Sequence, residues 1–353
     1  MGLLGFLGCA HAASGGRGQD PWCSAPEARE FDFWIGDWDV ENHNRGAGSG
    51  EWSRTGTAIS RVYGVVRGCA LVEHWRGEAL GSPPLSIEGF SVRAFDPERD
   101  AWDLVLLWPI RGPAPFGTPS GRFSDGRGDF MNRVVNGRGD TVRTRLSFSK
   151  IRTDGLQWNN AFSLDGGVTW DSTWIMQFRR RPATAPALTN GPSSATDRCP
   201  GEAHRRFDDQ LGVWHGVRIA DDDTVEVTGV VERILGGCGV MERIAATDGS
   251  WESFAVRALE PDAGWAEYGL AADRPFLRRR EPGEEGGHVF TATRPAAGVL
   301  RRTRWVERSS RATVRVEEEA PAPAGPWRPV AELRLRRATA VDRPAFDRVR
   351  PAR

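Results

Sequence analysis

Short runs of alternating apolar and polar residues recur along most of the chain, and glycine, proline, aspartate or asparagine separates them. This pattern is typical of half-buried β-strands joined by tight turns. In the first half it predicts strands at 34–43, 52–63, 69–76, 87–95, 101–108, 119–124, 128–135, 141–149, 156–163 and 171–179. In the second half it predicts strands at 213–219, 224–234, 238–245, 251–258, 264–270, 286–294, 298–306, 311–319 and 327–337. So many short strands without helical patterns between them predict an all-β protein of antiparallel barrels or sandwiches.

One predicted strand, from Trp102 to Trp108, is apolar on both faces. Trp102 and Leu104 share one face with Leu106 and Trp108, whereas Val105 and Leu107 lie on the other. A barrel strand needs only one apolar face, so we expect the second face to pack on the other half of the chain.

The two halves carry the same landmarks in the same order, which predicts a tandem duplication. The pairs, first half then second, are Cys23 and Cys199, Gly36-x-Trp38 and Gly212-x-Trp214, Cys69 and Cys238, Glu73 and Glu242, Trp102 and Trp265, and Trp170 and Trp327. We therefore predict an export signal and lead-in at 1–20, a first barrel at 21–181, a linker at 182–198, a second, divergent barrel at 199–340 and a tail at 341–353.

Charge is balanced in this chain of 353 residues, with 47 basic and 47 acidic side chains. A dedicated nucleic-acid binder needs a basic face, so this class is not expected. The sequence also lacks an apolar run of about 18 residues, which a membrane-spanning helix requires.

The N-terminal stretch from Gly2 to Ala13 is apolar and rich in small residues, like the core of an export signal. Two endings fit: a small-residue cleavage site at Ala10-His-Ala12, or a lipoprotein signal in which Cys9 becomes the acylated first residue. The alternative is a tail without a targeting role. We expect export to the periplasm or the cell exterior, or anchoring through a lipid at Cys9.

Apart from Cys9, the cysteines form two similarly spaced pairs, Cys23 with Cys69 and Cys199 with Cys238. One disulfide in each half is the simplest interpretation for an exported protein. A metal site is the alternative, but no Cys-x-x-Cys pair or histidine cluster accompanies these residues.

The opening Phe31-Asp-Phe-Trp-Ile-Gly-Asp-Trp-Asp-Val40 resembles an uncharacterised family of mostly bacterial, often exported proteins. Cys69 followed by Glu73-His-Trp75, and the late Ser163-Leu-Asp-Gly-Gly-Val-Thr-Trp170, fit the same family. The Gly-x-Trp in the first strand is also similar to that of the calycins: lipocalins, fatty-acid-binding proteins and nitrobindin-like barrels. The resemblance implies two tandem antiparallel calycin-like β-barrels of about eight to ten strands each.

In lipocalins the tryptophan of Gly-x-Trp closes the bottom of the barrel, and an arginine from the last strand packs over it. By this resemblance Gly36 and Trp38 close the first barrel, and Gly212 and Trp214 close the second. The arginines expected to cover them are Arg179 or Arg180 in the first half and Arg334 or Arg336 in the second.

Glu73 and Glu242 share strand parity with apolar neighbours, which predicts one inward carboxylate in each barrel. An inward carboxylate needs a cationic partner or a raised pKa. It would anchor a ligand or act as a general acid or base. The alternative is an outward side chain or a structural ion pair, with Arg61, Arg76, Arg143 or Arg145 as the partner.

Several first-half side chains are candidates for a ligand pocket, with ordinary barrel core as the alternative. They are Trp34, Glu73, Trp75, Trp102, Trp108, Trp158 and the amide of Asn159. Ten of the fifteen tryptophans lie at or before position 174, so we expect the first half to keep any ligand site.

No catalytic residue, metal site or cofactor is predicted from the sequence. A haem would need an axial histidine, and none recurs in both halves; nucleotide and hydrolase motifs are missing as well. Ser163–Trp170 fits the hairpin of sialidase-type propellers, but a single copy predicts only a turn.

The leading hypothesis is therefore an exported protein that binds a small apolar or aromatic ligand without turnover. The alternatives are a lipocalin-like enzyme with an inward glutamate, and a structural or interaction module of the cell envelope. The oligomeric state is not predicted.

Overall fold

The computed structural model describes residues 23–46, 48, 50–79, 85–108, 117–135, 139–186, 188, 199, 201–221, 223–260, 264–271, 274–275, 278–279, 289–292, 299–321 and 325–338. The predicted export signal, Cys9, most of the predicted linker and the predicted tail lie outside these residues. Within them, no helix is both long and apolar enough to cross a membrane.

The first half is a closed antiparallel barrel of ten strands, in which each strand pairs with its neighbours in sequence and the last pairs with the first. The strands are β1 (Gly36–Asn44), β2 (Ser53–Val65), β3 (Ala70–Ala79), β4 (Leu85–Asp96), β5 (Ala101–Leu107), β6 (Ser120–Ser124), β7 (Arg127–Val135), β8 (Thr141–Ser149), β9 (Gly155–Ser163) and β10 (Asp171–Arg180). Short 3₁₀ helices lie at Pro26–Arg29, Asp32–Trp34 and Val66–Gly68. The predicted first strand therefore begins at Gly36 instead of Trp34, which belongs to a 3₁₀ turn.

The second half is a curled antiparallel sheet of eleven strands in the corresponding order. They are β11 (Gly212–Ala220), β12 (Asp223–Ile234), β13 (Gly239–Ala246), β14 (Glu252–Glu260), β15 (Gly264–Ala271), β16 (Arg274–Pro275), β17 (Arg278–Arg279), β18 (Val289–Ala292), β19 (Leu300–Arg308), β20 (Ala312–Ala320) and β21 (Arg328–Arg337). Its 3₁₀ helices are Glu202–Arg205, Asp208–Gln210 and Leu235–Gly237. The all-β, calycin-like fold is as predicted; the closed pairing, however, is found in the first half, while β16 and β17 end the second sheet.

Strand pairing relates the two halves position by position. Trp38 lies opposite Arg180, and Trp214 lies opposite Arg337. Glu73 lies opposite Ser91, and Glu242 lies opposite Ala255. Counting along the strands from these landmarks makes Arg93 equivalent to Arg257 and Phe90 equivalent to Phe254.

The predicted disulfides are both present. Cys23 is bonded to Cys69, and Cys199 is bonded to Cys238. Each second cysteine directly follows a 3₁₀ helix, Val66–Gly68 or Leu235–Gly237. The bonds therefore attach each lead-in segment to the connection between two strands, and a constraint of this kind stabilises chiefly by restricting the unfolded chain.

The bottom of each half is closed by the tryptophan of Gly-x-Trp under an arginine of the last strand. The Arg180 guanidinium lies 4.2 Å from the Trp38 ring, and that of Arg337 lies 4.8 Å from the Trp214 ring. Arg180 also donates to the carbonyls of Phe33 and Ile35, at 2.8 Å each. Arg180 was one of two expected candidates, whereas the prediction of Arg334 or Arg336 was wrong.

The glycine of this motif is required by the arginine. Gly36 has a φ of +135°, and a β-carbon there would lie 2.4 Å from a guanidinium nitrogen of Arg180. Gly212 has a φ of +123° and a matching conflict with Arg337. Each half therefore requires glycine here for two reasons: the positive φ, and the space that the arginine side chain occupies.

The outer face of β5 packs on the second half, as predicted. Val105 and Leu107 share one apolar core with Phe254, Val256 and Leu270. The rings of Phe90 and Phe254 are stacked there with centroids 6.4 Å apart. The interior face of the same strand, with Trp102 and Leu104, belongs to the core of the first barrel.

His74 lies at the edge of this shared core and is expected to make the protein acid-sensitive. Its ring contacts Phe90, and its Nε2 lies 3.1 Å from the Tyr63 hydroxyl. Burial lowers the pKa of His74 to about 3, and the charges of Arg76 and Arg61 contribute. The unfolded chain therefore takes up a proton near the usual pKa of about 6.5, before the folded protein does.

Stability should accordingly fall as the pH drops from about 6.5 towards 3. The loss from this group is expected to stay below about 1.4 kcal/mol per pH unit, the limit for one proton, because His74 keeps some contact with solvent. Denaturant unfolding of wild type and His74→Gln at pH 7 and pH 4.5 measures it. The variant should lose less stability on acidification, and parallel pH curves would contradict this assignment.

Candidate functional site

Glu73 points into the first barrel and is buried, with 3% of its surface exposed. Its two carboxylate oxygens accept hydrogen bonds from the hydroxyls of Ser60 and Ser91, each at 2.8 Å. A guanidinium nitrogen of Arg93 lies 3.5 Å away. The inward carboxylate is therefore part of a structural ion pair, which was the alternative interpretation.

Arg93 is the partner that sequence reasoning missed. Its guanidinium lies 3.9 Å from the Trp34 ring and 5.4 Å from the Phe31 ring. Burial lowers the pKa of Arg93 to about 10, although the charge of Glu73 opposes the change. Arg93 thus stays protonated at neutral pH. Its charge is balanced by one carboxylate and by cation–π contacts, so Glu73 and Arg93 form a buried ion pair inside the barrel.

Four tryptophans form a second interior group, which we call the tryptophan cluster: Trp75, Trp108, Trp158 and Trp174. Their rings meet edge to face, with centroids 5.3 Å apart for Trp75 and Trp108, 5.5 Å for Trp108 and Trp174, and 5.4 Å for Trp158 and Trp174. Trp75, Trp108 and Trp158 were expected. Trp174 was missed. It lies opposite Asn160 on β9, two residues from Trp158, and so points into the barrel like Trp158.

The tryptophan cluster contains a polar group that has no partner in the part of the chain that the structure describes. Trp75 has no exposed surface, yet its indole N–H meets no acceptor among the described residues. The corresponding N–H of Trp174 donates to the Asn42 side chain at 3.0 Å. Trp108 is only half-buried, and its ring packs on Gly89, where a β-carbon would lie 2.3 Å away.

The remaining predicted site residues lie elsewhere. Trp34 and Trp102 belong to an aromatic group around Phe31, and the Trp102 N–H lies 3.1 Å from the Glu30 carboxylate. The prediction of an inward Asn159 was wrong. Trp158 points inward, so its neighbour faces outward, where Asn159 donates to the Ser172 hydroxyl at 2.9 Å.

The second half carries a larger ionic group at the equivalent level. Glu242 is bound by Arg315 at 2.5 Å and by Arg257 at 3.4 Å, and Arg257 also binds Glu267 at 2.5 Å. Burial alone would raise the pKa of Glu242, but the two guanidinium groups outweigh it and hold the pKa at about 2. Burial likewise opposes the charge of Arg257, yet the two carboxylates raise its pKa above the usual value.

Two of the cavities that described residues line bear on the candidate site, and Glu73 lines neither of them. One of about 450 Å³ is a groove on the outside of the first barrel, beside Asp39, Thr57, Ile59, Arg76 and Arg179. The other, of about 60 Å³, lies inside the second half against Glu242, Arg257 and Arg315. The expectation that the first half keeps any ligand site stays a prediction.

The hairpin at Ser163–Trp170 is structural, as predicted. The Asp165 carboxylate accepts from the main-chain N–H groups of Val168 and Thr169 and from the Thr169 hydroxyl. These hydrogen bonds hold the pKa of Asp165 well below its usual range. Among the described residues, no three His, Cys, Asp or Glu side chains are grouped so that they could hold a metal ion.

No protein-family model and no curated protein matches the chain. The comparison with solved structures found several that are similar to the chain. Rv2717c from M. tuberculosis is 13% identical, with 45% of this chain and 99% of that chain covered and a TM-score of 0.32. The S-type phycobiliprotein lyase CPES from Guillardia theta is 10% identical, with 45% and 99% covered and a TM-score of 0.31.

A third match covers both halves. A protein of unknown function from the DUF3598 family of Nostoc punctiforme is 11% identical, with 89% of this chain and 100% of that chain covered and a TM-score of 0.25. At such identities and TM-scores, none of these structures bears on the ligand or activity of this protein.

Proposed function

We propose that this is an exported protein that binds a small, flat, apolar ligand in the first barrel without chemical turnover. The observation that carries the proposal is the tryptophan cluster, in which the fully buried Trp75 N–H meets no acceptor among the described residues. Leaving such a donor unpaired costs about 1–3 kcal/mol, and a ligand with one acceptor atom would remove this cost.

The form of the ligand follows from the rings that would surround it. Edge-to-face aromatic contacts each stabilise by about 0.5–1.5 kcal/mol beyond the area they bury, so an aromatic ligand can replace the contacts between tryptophans. Trp108 is the half-buried member, and among the described residues it is held by ring contacts and by packing on Gly89. We therefore assign Trp108 as the ring that moves when the ligand enters.

Binding without turnover is favoured by the state of Glu73. A general acid or base must reach a reacting atom of the substrate. Both oxygens of Glu73 already accept hydroxyl hydrogen bonds, and Arg93 neutralises the charge. The enzyme alternative therefore has no specific observation in its favour.

Export is supported by the two disulfides, since such bonds persist in oxidising compartments. The predicted signal at Gly2–Ala13, with or without a lipid at Cys9, would deliver the chain there. The interaction-module alternative relied on the outer face of the strand from Trp102 to Trp108, and this face is covered by the second half of the same chain.

A matched pair of bicyclic probes tests the proposed site. Quinoline and naphthalene have nearly the same shape, but only quinoline offers a ring nitrogen as acceptor. We expect both to quench tryptophan fluorescence, and quinoline to bind about fivefold tighter, the value of one hydrogen bond. Trp75→Phe should remove this preference, whereas Trp52→Phe, at an exposed tryptophan, should keep it.

Native mass spectrometry of the protein isolated from its own host adds a second measurement, in which a co-purifying aromatic compound is expected. If neither probe changes the fluorescence up to its solubility limit, the proposed site is wrong. Equal affinity of the two probes in the wild type would overturn the role of Trp75.

A further inference from the structure

The cavity inside the second half lies where the first half has its tryptophan cluster. Counting from Arg180 and Arg337, Trp174 on β10 is equivalent to Ala331 on β21, and Met176 is equivalent to Leu333. Trp158 lies opposite Met176 and Arg315 lies opposite Leu333, so Trp158 is equivalent to Arg315. Continuing along β3 and β5, the second-half counterparts of Trp75, Trp108, Trp158 and Trp174 are Ile244, Ala271, Arg315 and Ala331.

Two of these four replacements turn an indole into a methyl group, and both alanines line the cavity. Its volume of about 60 Å³ is several times the roughly 10–15 Å³ that one water needs. The space therefore suits about four or five water-sized groups and is too small for a bicyclic ring.

Three hydrogen-bonding groups on the cavity wall have no partner among the described residues: the Thr303 hydroxyl, the Arg315 Nε–H and the Trp251 indole N–H. Thr303 is 6% exposed and Arg315 is 5% exposed. All three can donate a hydrogen bond. A molecule in this cavity must consequently bring acceptor oxygen atoms, while Ala271, Ala331 and Leu333 offer an apolar side.

Charge decides between an ion and a neutral molecule. Arg257 and Arg315 are paired with Glu242 and Glu267. Among the other wall residues, Glu332 is paired with Arg334, and Arg218 and Glu317 have opposite signs. The charges cancel, so an ion would lose its hydration without gaining a counter-charge.

We infer that the second half has its own binding site for a small neutral molecule of about four heavy atoms with a carbonyl-type acceptor oxygen. Thr303, Trp251 and Arg315 provide the hydrogen-bond donors, of which one carbonyl oxygen can accept from two, and the alanines contact the apolar end. This site lies in the other half from the proposed aromatic site and does not depend on it.

Three probes of one shape and different charge test the inference: acetamide (neutral), acetate (anion) and acetamidinium (cation). The readout is the indole N–H resonance of Trp251 in the ¹⁵N-labelled full chain, assigned by its loss in Trp251→Phe. We expect acetamide to shift this resonance saturably, and the two ions to bind at least about tenfold more weakly because of their desolvation.

Variants locate the binding. Thr303→Val removes one hydroxyl without changing shape and should weaken acetamide about fivefold. Ala331→Leu should fill the cavity and abolish the shift. Thr141→Val, at an exposed threonine of the first barrel, is the matched control and should leave the affinity unchanged.

Some results would overturn the inference. They are no shift of the Trp251 resonance with any probe, tighter binding of acetate or acetamidinium than of acetamide, and equal acetamide affinity in wild type and Thr303→Val. Quinoline binding to the first barrel can persist in each of these cases, so failure here is distinguishable from failure of the proposed aromatic site.

Discussion

Replacing Glu242 with glutamine is expected to lower the free energy of unfolding by about 3–5 kcal/mol, the cost of breaking a buried ion pair from one side. Arg315 would lose its carboxylate, and Arg257 would keep only Glu267. Both arginines are buried, so neither can regain full hydration without opening the sheet. Denaturant unfolding of the full chain measures the loss, and Glu226→Gln, at an exposed position of β12, serves as the control.

The same carboxylate makes the free energy of unfolding depend on pH. The pKa of Glu242 is about 2 in the folded protein and near the ordinary value of about 4.3 when unfolded. Its stabilisation is complete above the unfolded value and is lost as the pH falls towards 2. Glu242→Gln should therefore flatten the stability curve below pH 4.5, and an unchanged slope would contradict the assignment.

Glu73→Gln is expected to cost less than Glu242→Gln. Glu73 has one arginine at 3.5 Å, and that arginine also rests on Trp34. The Ser60 and Ser91 hydroxyls can still donate to an amide oxygen or rotate to accept from its NH₂ group. An equal or larger loss of stability for Glu73→Gln would contradict this ranking of the two buried ionic groups.

Phe254→Ala is expected to be the second severe change, with a loss of about 3–5 kcal/mol for a buried phenylalanine. Its ring belongs to the core shared by the two halves and stacks on Phe90. Phe90→Ala should cost a similar amount for the same reason. Leu164→Ala, at a side chain that is 66% exposed, should change stability by less than about 0.5 kcal/mol.

The two phenylalanine variants should not be additive. Residues in direct contact are coupled, and an aromatic pair contributes about 0.5–1.5 kcal/mol beyond its area. The double variant should therefore lose less than the sum of the single losses by that amount. Strict additivity in the double-mutant cycle would show that the stacked contact itself contributes nothing.

Much of the fold could be predicted because its signals are local. Alternation located most strands, and the two Gly-x-Trp motifs located the barrel bottoms. Strand parity correctly turned Glu73 inward. The same parity predicts an outward Asn159, since a residue next to an inward Trp158 must face the other way.

The rest depends on pairing between distant strands. Arg93 meets Glu73 across β3 and β4 through Ser91, and Arg337 meets Trp214 across the last and first strands. No local pattern distinguishes Arg337 from Arg334 or Arg336. The cavity of the second half could not be found either, because it requires knowing that Ala271 and Ala331 take the places of Trp108 and Trp174.

The stacked pair of Phe90 and Phe254 joins equivalent positions of the two halves of the chain. Equivalent residues of the two halves meet each other there, as the same patch does on both subunits of a two-fold homodimer. Within one chain, this contact resembles the isologous contact between two identical subunits. In a true homodimer every substitution appears twice, and both pockets must stay identical. A single chain lacks this restriction, so the first half can hold four tryptophans where the second half holds Ile244, Ala271, Arg315 and Ala331.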